Sequence, residues 1–562
     1  MKKKWTKMVS VILSLALVIS LFAGCGGDTS STAGPVREDG SVVIRVPFAS
    51  EPSSLDPGYG NSSDSICPRG IMFEGLVRIY DNEVHPGMAE SWEVADDGVT
   101  YTFHLRDSNW SDGVPVTAHD FVYGITRLLD PSDDAPNGNY AWMGYYIENG
   151  EEFNSGQCSA EELGIRAIDD KTLEIVADKN MPYFVELMKL PCFYPVREDM
   201  GEQYGKDYAS SPETVVCNGP FILTEWEHES QLTFEKNPEY WNADNINVDG
   251  IEAYIIGETE TIVNMFDNGE LDIMNTIDKE YIEKYQETGE AVYIEGATIW
   301  YTVVNTKTDR GEASKLLQNK NFRQAISYVL NRDSLVEAAC GDGSFGITRM
   351  IPDLITVLDS TLGELYPYEP YSTEGDAEKA QELFDKALEE TGFTRDNLPD
   401  LTLLTFDDAR AQDSAEIIQS MLGEAFGLNI VLDTQTYSAR TEKENQGDYD
   451  LCITNWAPDY NDPMTFLECY ESNNSYNMYF GGMQNAEYDE LIAFCNSTDD
   501  MKARADAMFE AEQMLVDEMV GIPLFQTAGY WGMKTYLTGI TKCGLGANDP
   551  DFSRVQYIGE EE

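Results

Sequence analysis

Hydrophobic and polar positions in the first part of the chain follow the two-residue period of β-strands. The segment SVVIRVPF (41–48) is rich in β-branched residues, which predicts a strand. In SWEVADDGVTYTFHL (91–105) the pair Asp97-Gly98 separates two β-rich runs. Because an Asp-Gly step supplies the positive dihedral angles of a tight turn, this segment is predicted to be a hairpin.

Other segments show the spacing of amphipathic helices. A helix is predicted from Thr117 to Leu129, with Thr117 as its N-cap and Asp120 placed to complete a capping box. The segment DAEKAQELFDKAL (376–388) predicts a second helix, with Gly392 as its C-cap. The apolar face of that helix comprises Ala377, Ala380, Leu383, Phe384, Ala387 and Leu388.

Strand and helix patterns alternate between residues 401 and 456. LTLLTF (401–406), NIVLDTQTY (429–437) and DYDLCITNW (448–456) predict strands, and a helix is predicted from Asp413 to Phe426. Strands joined through a helix by short links predict a parallel, doubly wound sheet. The fold class expected from these patterns is α/β.

Length and charge narrow the class of protein. A chain of 562 residues with 42% hydrophobic content can form three or four packed domains. It carries 100 acidic and 37 basic residues, and four of the basic residues are lysines among the first 24 positions, so 33 basic residues remain beyond them. Such an acidic surface repels phosphate backbones, so nucleic acid is not expected to be a partner.

The N-terminus predicts export. MKKKWTKM is followed by a small or apolar run from Val9 to Ala23, which has the proportions of a secretory signal. The segment LFAGC resembles the lipobox of bacterial lipoproteins, which implies a signal peptide over 1–24 and a lipid-modified Cys25. Residues 25–40 are then expected to form a flexible tether that holds an extracytoplasmic protein to the membrane by lipid.

Several segments partly match motifs for cofactor or metal binding, but the neighbouring residues do not fit those motifs. GDGSFG (341–346) satisfies GxGxxG but follows a helical run, so it is expected to be a helix C-cap and loop. The segment 245–256 begins like a calcium-binding loop but has Ile256 where that loop needs glutamate. The segment that begins with His228 and Glu229 resembles the zinc motif HExxH but has Leu232 in place of the second histidine. Adjacent acidic pairs are typical of solvated surface. A binding protein without a cofactor or metal is therefore favoured over an enzyme.

The number of cysteines predicts free thiols. Ten cysteines without Cys25 leave nine, an odd number, and none of their spacings forms a CxxC pair. Complete pairing is impossible within one such chain, so free buried cysteines are expected.

A series of ordered sequence blocks carries a family resemblance. The blocks are SSLDP (53–57), FEGL (73–76), GMAESWEVADDGVTYTFHLRD (87–107), WSDGVPVTAHDFVYG (110–124), NGPFIL (218–223), KNPEYW (236–241), FRQAISYVLNRDSLV (322–336), NWAPDYNDPMTFL (455–467) and IPLF (522–525). From about Ser41 to its end the chain resembles the oligopeptide- and dipeptide-binding lipoproteins of bacterial ABC importers, the extracellular solute-binding proteins of family 5.

The resemblance implies a particular architecture. It is a two-lobed, periplasmic-binding-protein-like (class II) α/β fold with three domains and a two-strand hinge. The expected boundaries are 41–78, 200–300 and 526–562 for a discontinuous domain I, 79–199 for domain II and 301–525 for domain III.

The resemblance also implies a site for an extended peptide. The family's W-x-x-D segment corresponds to Trp456-Ala457-Pro458-Asp459, so Asp459 is expected to receive the peptide's ammonium group, which must be paired when the cleft closes. Backbone pairing is expected from Asn455 to Ala457 and, after SLDP, around Asn61, Ser62 and Ser63. Main-chain pairing of this kind gives affinity without side-chain discrimination.

Three further positions complete the expected site. Tyr437, placed at the end of its predicted strand, matches an aromatic residue that lines a side-chain pocket in relatives, with ordinary packing as the alternative. Arg410 and Arg440 are candidates to receive the peptide carboxylate. If neither does so, longer peptides with a solvated C-terminus are favoured.

The function implied is capture of short peptides and their delivery to an ABC importer. The expected partners are the peptides, the membrane permease and the ATPase subunits, and the chain is expected to be a monomer. Two alternatives stay open from the sequence. One is the same fold with an oligosaccharide, nickel or haem as its ligand, and the other is a surface receptor that senses peptides.

Overall fold

The computed structural model describes residues 34–59, 63–80, 83–132, 140–358, 360–498, 500–542 and 550–559. Cys25, Asn61 and Ser62 lie outside the described residues, and Ser63 is described in its backbone alone. Among the described helices, none combines the length and the apolar character needed to cross a membrane.

The described strands are numbered in chain order. They are β1 (Val43–Phe48), β2 (Val77–Tyr80), β3 (Glu83–Pro86), β4 (Ala89–Val94), β5 (Thr100–Leu105), β6 (Ile165–Asp169), β7 (Thr172–Val176), β8 (Phe221–Glu227), β9 (Gln231–Lys236), β10 (Gly250–Ile255), β11 (Ile273–Met274), β12 (Ala291–Val304), β13 (Phe345–Gly346), β14 (Thr356–Val357), β15 (Ser360–Thr361), β16 (Leu401–Phe406), β17 (Ile430–Gln435), β18 (Leu451–Trp456), β19 (Gly521–Met533), β20 (Leu537–Thr538), β21 (Thr541–Lys542), β22 (Pro550–Asp551) and β23 (Gln556–Tyr557).

The described α-helices are also numbered in chain order. They are α1 (Ser63–Met72), α2 (Ala118–Leu129), α3 (Gly150–Asn154), α4 (Phe184–Leu187), α5 (Glu198–Tyr204), α6 (Thr259–Asp267), α7 (Ile282–Glu287), α8 (Ala313–Leu317), α9 (Lys320–Val329), α10 (Arg332–Ala339), α11 (Leu362–Leu365), α12 (Ala377–Thr391), α13 (Ala409–Phe426), α14 (Tyr437–Gln446), α15 (Met464–Leu467), α16 (Ala486–Cys495) and α17 (Met501–Glu518). Short 3₁₀ turns, including Ala141–Tyr146, connect several of them.

Three larger sheets organise the chain. The first has the order β1-β10-β9-β8, the second β4-β5-β7-β6, and the third β11-β19-β12-β18-β16-β17 with β13 added beside β19. The second sheet uses one continuous stretch of chain, whereas β1 and β10 of the first sheet pair across about 200 residues. This mixed architecture confirms the predicted α/β class. The three domain boundaries stay a prediction.

Two long strands link the ends of the third sheet. β12 and β19 run antiparallel from Ala291↔Gly532 to Val303↔Gly521, with irregularities between Glu295 and Ile299 and between Trp300 and Tyr301. β11 pairs with one end of this ribbon, at Gly532 and Met533, and β18 pairs with the other end. The predicted domain boundaries at 300/301 and 525/526 fall within these two strands, and their role as a hinge stays a prediction.

Most local predictions agree with the structure. β4 and β5 form the predicted hairpin, and Gly98 in its turn has a φ of +72°. The Asp120 carboxylate accepts hydrogen bonds from the backbone and hydroxyl of Thr117, at 2.8 and 3.1 Å, as a capping box requires. α12 ends at Gly392 with φ +78°, and its predicted apolar face is buried apart from Ala377.

One prediction in the third sheet was wrong. Residues 429–437 were expected to form a strand that ends at Tyr437, but β17 stops at Gln435. The hydroxyl of Thr436 instead accepts a hydrogen bond from the Ala439 backbone and caps α14, so Tyr437 is the first residue of a helix. The parallel pairing of β16 with β17 and with β18 agrees with the predicted doubly wound arrangement.

Candidate functional site

The β18 strand has one covered edge and one open edge. On one side it pairs with β12 along its whole length, from Leu451 to Trp456. On the other side it pairs with β16 at Leu451 and Cys452 alone. From Ile453 onward no described strand lies on this side. A free strand edge of this kind can pair with an extended ligand backbone.

Aromatic packing fixes the end of this strand. The Trp456 ring contacts Tyr476, Tyr479 and Phe480 edge to face, with ring centroids 5.5, 6.1 and 5.2 Å away. The Tyr479 hydroxyl also lies 3.4 Å from the carbonyl of Asn455, to which it donates a hydrogen bond. The end of β18 is therefore held in place by aromatic side chains from a later segment, and Ala457 follows it as an exposed residue.

The loop after β18 is tied to the protein at several points. The Asp459 backbone N–H donates to the Thr465 hydroxyl at 3.1 Å. Asp462 accepts two hydrogen bonds from the Arg504 guanidinium, at 2.6 and 2.9 Å. The side chain of Asn461 bonds with Thr356. These contacts fix the backbone around Asp459 but leave its carboxylate without a hydrogen bond or ion pair to any described residue.

That carboxylate lies in a cavity of about 320 Å³. Its walls come from α1, β2, the turn Ala141–Tyr146, the segment around α4, and the loop after β18. The lining includes Ile66, Val77, Trp142, Glu186, Leu190, Asp459, Tyr460 and Asn461. Five separate stretches of the chain, the fifth being Pro550 and Asp551, thus line the space in front of Asp459.

The surroundings raise the pKa of Asp459. Although the carboxylate is open to the cavity, the protein around it displaces water, and this desolvation raises its pKa to about 6. The negative charge of Glu468 adds to the effect. Both causes disfavour the ionised carboxylate, and a cation brought into the cavity would reverse that preference.

The two predicted arginines are engaged elsewhere. Arg440 is fully buried, pairs with Glu444, and places its guanidinium over the rings of Phe406 and Tyr437. Arg410 pairs with Asp342 at 2.5 Å. Neither lines the cavity that holds Asp459. Their role toward a peptide carboxylate stays a prediction, and in this structure the charge of each is already balanced.

Sequence reasoning did not find Glu186. This residue lies in α4, and its carboxylate accepts hydrogen bonds from the backbone and side-chain N–H groups of Asn461, each at 3.3 Å. Beside it the rings of Tyr183 and Tyr460 stack with centroids 3.8 Å apart. These partners are about 275 residues apart in the chain, so no local pattern connects them.

Comparisons with known proteins give a consistent result. A family model for bacterial extracellular solute-binding proteins, family 5 Middle, matches residues 83–478. The oligopeptide-binding protein OppA of Bacillus subtilis is 32% identical over 558 residues, which cover 97% of this chain and 98% of that protein. The dipeptide-binding protein DppE of the same organism is 30% identical and covers 93% and 94%.

Solved structures agree over nearly the whole chain. The unliganded open form of the murein tripeptide-binding protein MppA matches with a TM-score of 0.77 at 27% identity, covering 94% of this chain and 99% of that one. Listeria monocytogenes OppA bound to peptide matches with a TM-score of 0.69 at 26% identity, covering 93% and 100%.

Proposed function

The chain belongs to the bacterial extracellular solute-binding proteins, family 5, and on this premise we propose that it captures short peptides and delivers them to an ABC-type importer. The proposal rests on one observation: Asp459, whose carboxylate pairs with none of the described residues, lies in a cavity next to the open edge of β18. An extended peptide has an ammonium group that can pair with Asp459 and a backbone that can pair with the edge of β18.

The ammonium group supplies the charge that Asp459 lacks. In a closing cleft a carboxylate without a partner is unfavourable by several kcal/mol, and an ammonium group at hydrogen-bond distance removes that penalty. Burial has already raised the pKa of Asp459, so part of this unfavourable energy is present before the ligand arrives.

The strand edge provides the remaining affinity. The backbone of Asn455 to Ala457 offers N–H and C=O groups to a peptide in extended conformation, whatever its side chains. On the other lobe we propose that the segment of Asn61, Ser62 and Ser63 pairs with the same peptide. Because Arg410 and Arg440 are both paired, we expect ligands whose C-terminal carboxylate stays in water.

The cellular context belongs to the same proposal. We propose that Cys25 carries the lipid anchor, that the protein works as a monomer outside the cytoplasm, and that a permease with its ATPase subunits receives the peptide. The chain itself then carries out no chemical reaction and needs no cofactor.

The ligand class can be tested on the purified protein. Mass spectrometry of the material released on denaturation should identify co-purified peptides. Calorimetric titration of ligand-free protein should give binding of an alanine tripeptide and no binding of an oligosaccharide such as maltotriose. Binding of the sugar without binding of any peptide would overturn the proposal in favour of a different solute.

Peptide affinity should depend on pH through Asp459. An ammonium ligand binds the ionised carboxylate, whose pKa in the free protein is about 6, so affinity should fall as the pH drops below 6, by up to about tenfold per unit. Above about pH 8 affinity should fall again as the peptide's own amine loses its proton. Calorimetry between pH 4.5 and 9 measures both limbs. An acid limb that persists in Asp459→Asn would show that another group causes it.

A further inference from the structure

Glu186 is a second carboxylate of the cavity that holds Asp459. It is partly buried, and among the described residues its carboxylate accepts hydrogen bonds from Asn461 alone, both at 3.3 Å, a length at which such bonds are weak. No ion pair joins it to any residue in the described part of the chain. It can therefore accept a cation without giving up a strong bond.

The walls beside Glu186 are largely apolar. Ile66, Val77, Ile79, Leu187 and Leu190 line the cavity, and the Trp142 ring is 40% exposed there. Apolar walls with a carboxylate among them suit a side chain that has a hydrocarbon stem and a positively charged end. The exposed indole ring adds a surface over which a cation can lie.

Glu186 and Asp459 reach the cavity from neighbouring positions. Glu186 contacts Asn461, which follows Asp459 by two residues, and two residues span at most about 7 Å between Cα atoms. The stem of a lysine side chain has four carbons, so its ammonium lies several ångströms from the α-ammonium of the same residue. A basic first residue can thus present one cation to each carboxylate.

The remaining charges of the cavity leave an excess of negative charge. Arg78 is held between Glu74 and Asp551, at 2.5 and 3.0 Å. Lys189 also lines the cavity, and its charge lowers the pKa of Glu186, but burial has the larger opposite effect and the pKa is raised to about 7. One lysine therefore faces two carboxylates.

We propose that Glu186 selects peptides whose first residue has a cationic side chain. This inference rests on the proposed function, because it assumes that Asp459 binds the ammonium group at the start of the peptide. Glu186 then acts as a specificity-determining residue of the same cleft, in contact with the loop that carries Asp459.

The test compares two tripeptides that differ by one amine. Lysyl-alanyl-alanine and norleucyl-alanyl-alanine have side chains of similar length, and norleucine lacks the charge. Calorimetry at pH 8, where Glu186 is ionised, should give about tenfold tighter binding of the lysine peptide. Glu186→Gln should remove this preference and leave the norleucine affinity within about twofold. Lys189→Gln should increase the preference, because it removes the competing cation.

The outcomes separate this inference from the proposed function. Equal binding of the two peptides by the unmodified protein, or a preference that survives in Glu186→Gln, would overturn the role of Glu186 while peptide capture stands. If neither tripeptide binds at millimolar concentration, the proposed function fails and the subsite fails with it.

Discussion

Replacing Asp459 with asparagine should weaken the binding of a free-amino tripeptide by about 2–5 kcal/mol, or roughly 30- to 5,000-fold in Kd. The substitution keeps the size of the side chain and removes its charge. The peptide's ammonium group would then lose its counter-charge on this loop, where the other carboxylate, Asp462, is already paired with Arg504. Isothermal titration calorimetry of both proteins measures the difference.

An N-acetylated form of the same peptide isolates the ammonium group. Acetylation removes the peptide's charge, so it should weaken binding to the unmodified protein by a similar factor and have little further effect on Asp459→Asn. The matched control is Asp407→Asn, an exposed aspartate outside the cavity, which should leave both affinities unchanged. Equal affinities of the unmodified protein for the free and acetylated peptides would disprove the role of Asp459.

Replacing Arg504 with methionine should lower the free energy of unfolding by about 3–5 kcal/mol. Arg504 in α17 and Asp462 in the loop after β18 are both nearly inaccessible to solvent and form two hydrogen bonds of 2.6 and 2.9 Å. Methionine fills similar space but leaves the Asp462 carboxylate buried without its counter-charge. Urea unfolding followed by circular dichroism measures the change in midpoint.

The same helix provides the control for this prediction. Lys502 in α17 pairs with Asp506, and both side chains are more than half exposed. Lys502→Met should change stability by less than about 1 kcal/mol, because water already screens that pair. If Arg504→Met is no more destabilising than Lys502→Met, the ion pair does not hold the loop. Because Asp462 is three residues from Asp459, we also expect Arg504→Met to weaken peptide binding.

Local elements of the fold could be predicted because their causes are local. The Asp97-Gly98 turn, the capping box of Thr117 and Asp120, and the glycine at the end of α12 each depend on a few neighbouring residues. The end of β17 was mispredicted because β-rich residues continue to Tyr437. There the Thr436 side chain caps a helix, and this local competition decided against strand extension.

Only part of the candidate site could be predicted from the sequence. Asp459 could be singled out because it stands in a segment of ordered motifs, and the structure places it in a cavity. The pairing of Arg440 with Glu444 was not foreseen, although the two residues are one helical turn apart, because Tyr437 was assigned to a strand and no helix was predicted there. Glu186 could not be predicted at all, since its contacts with Asn461 join distant parts of the chain.

By itself the sequence determined the α/β class, the acidic charge that disfavours nucleic acid, and a family resemblance that the comparisons confirmed. The tertiary structure alone decided which edge of β18 stays open, which carboxylates share a cavity, and which arginines are already neutralised. The physical reason is the distance along the chain over which each kind of interaction acts. Turn, cap and periodicity signals act over a few residues, whereas the charge balance of a cavity depends on groups that only folding brings together.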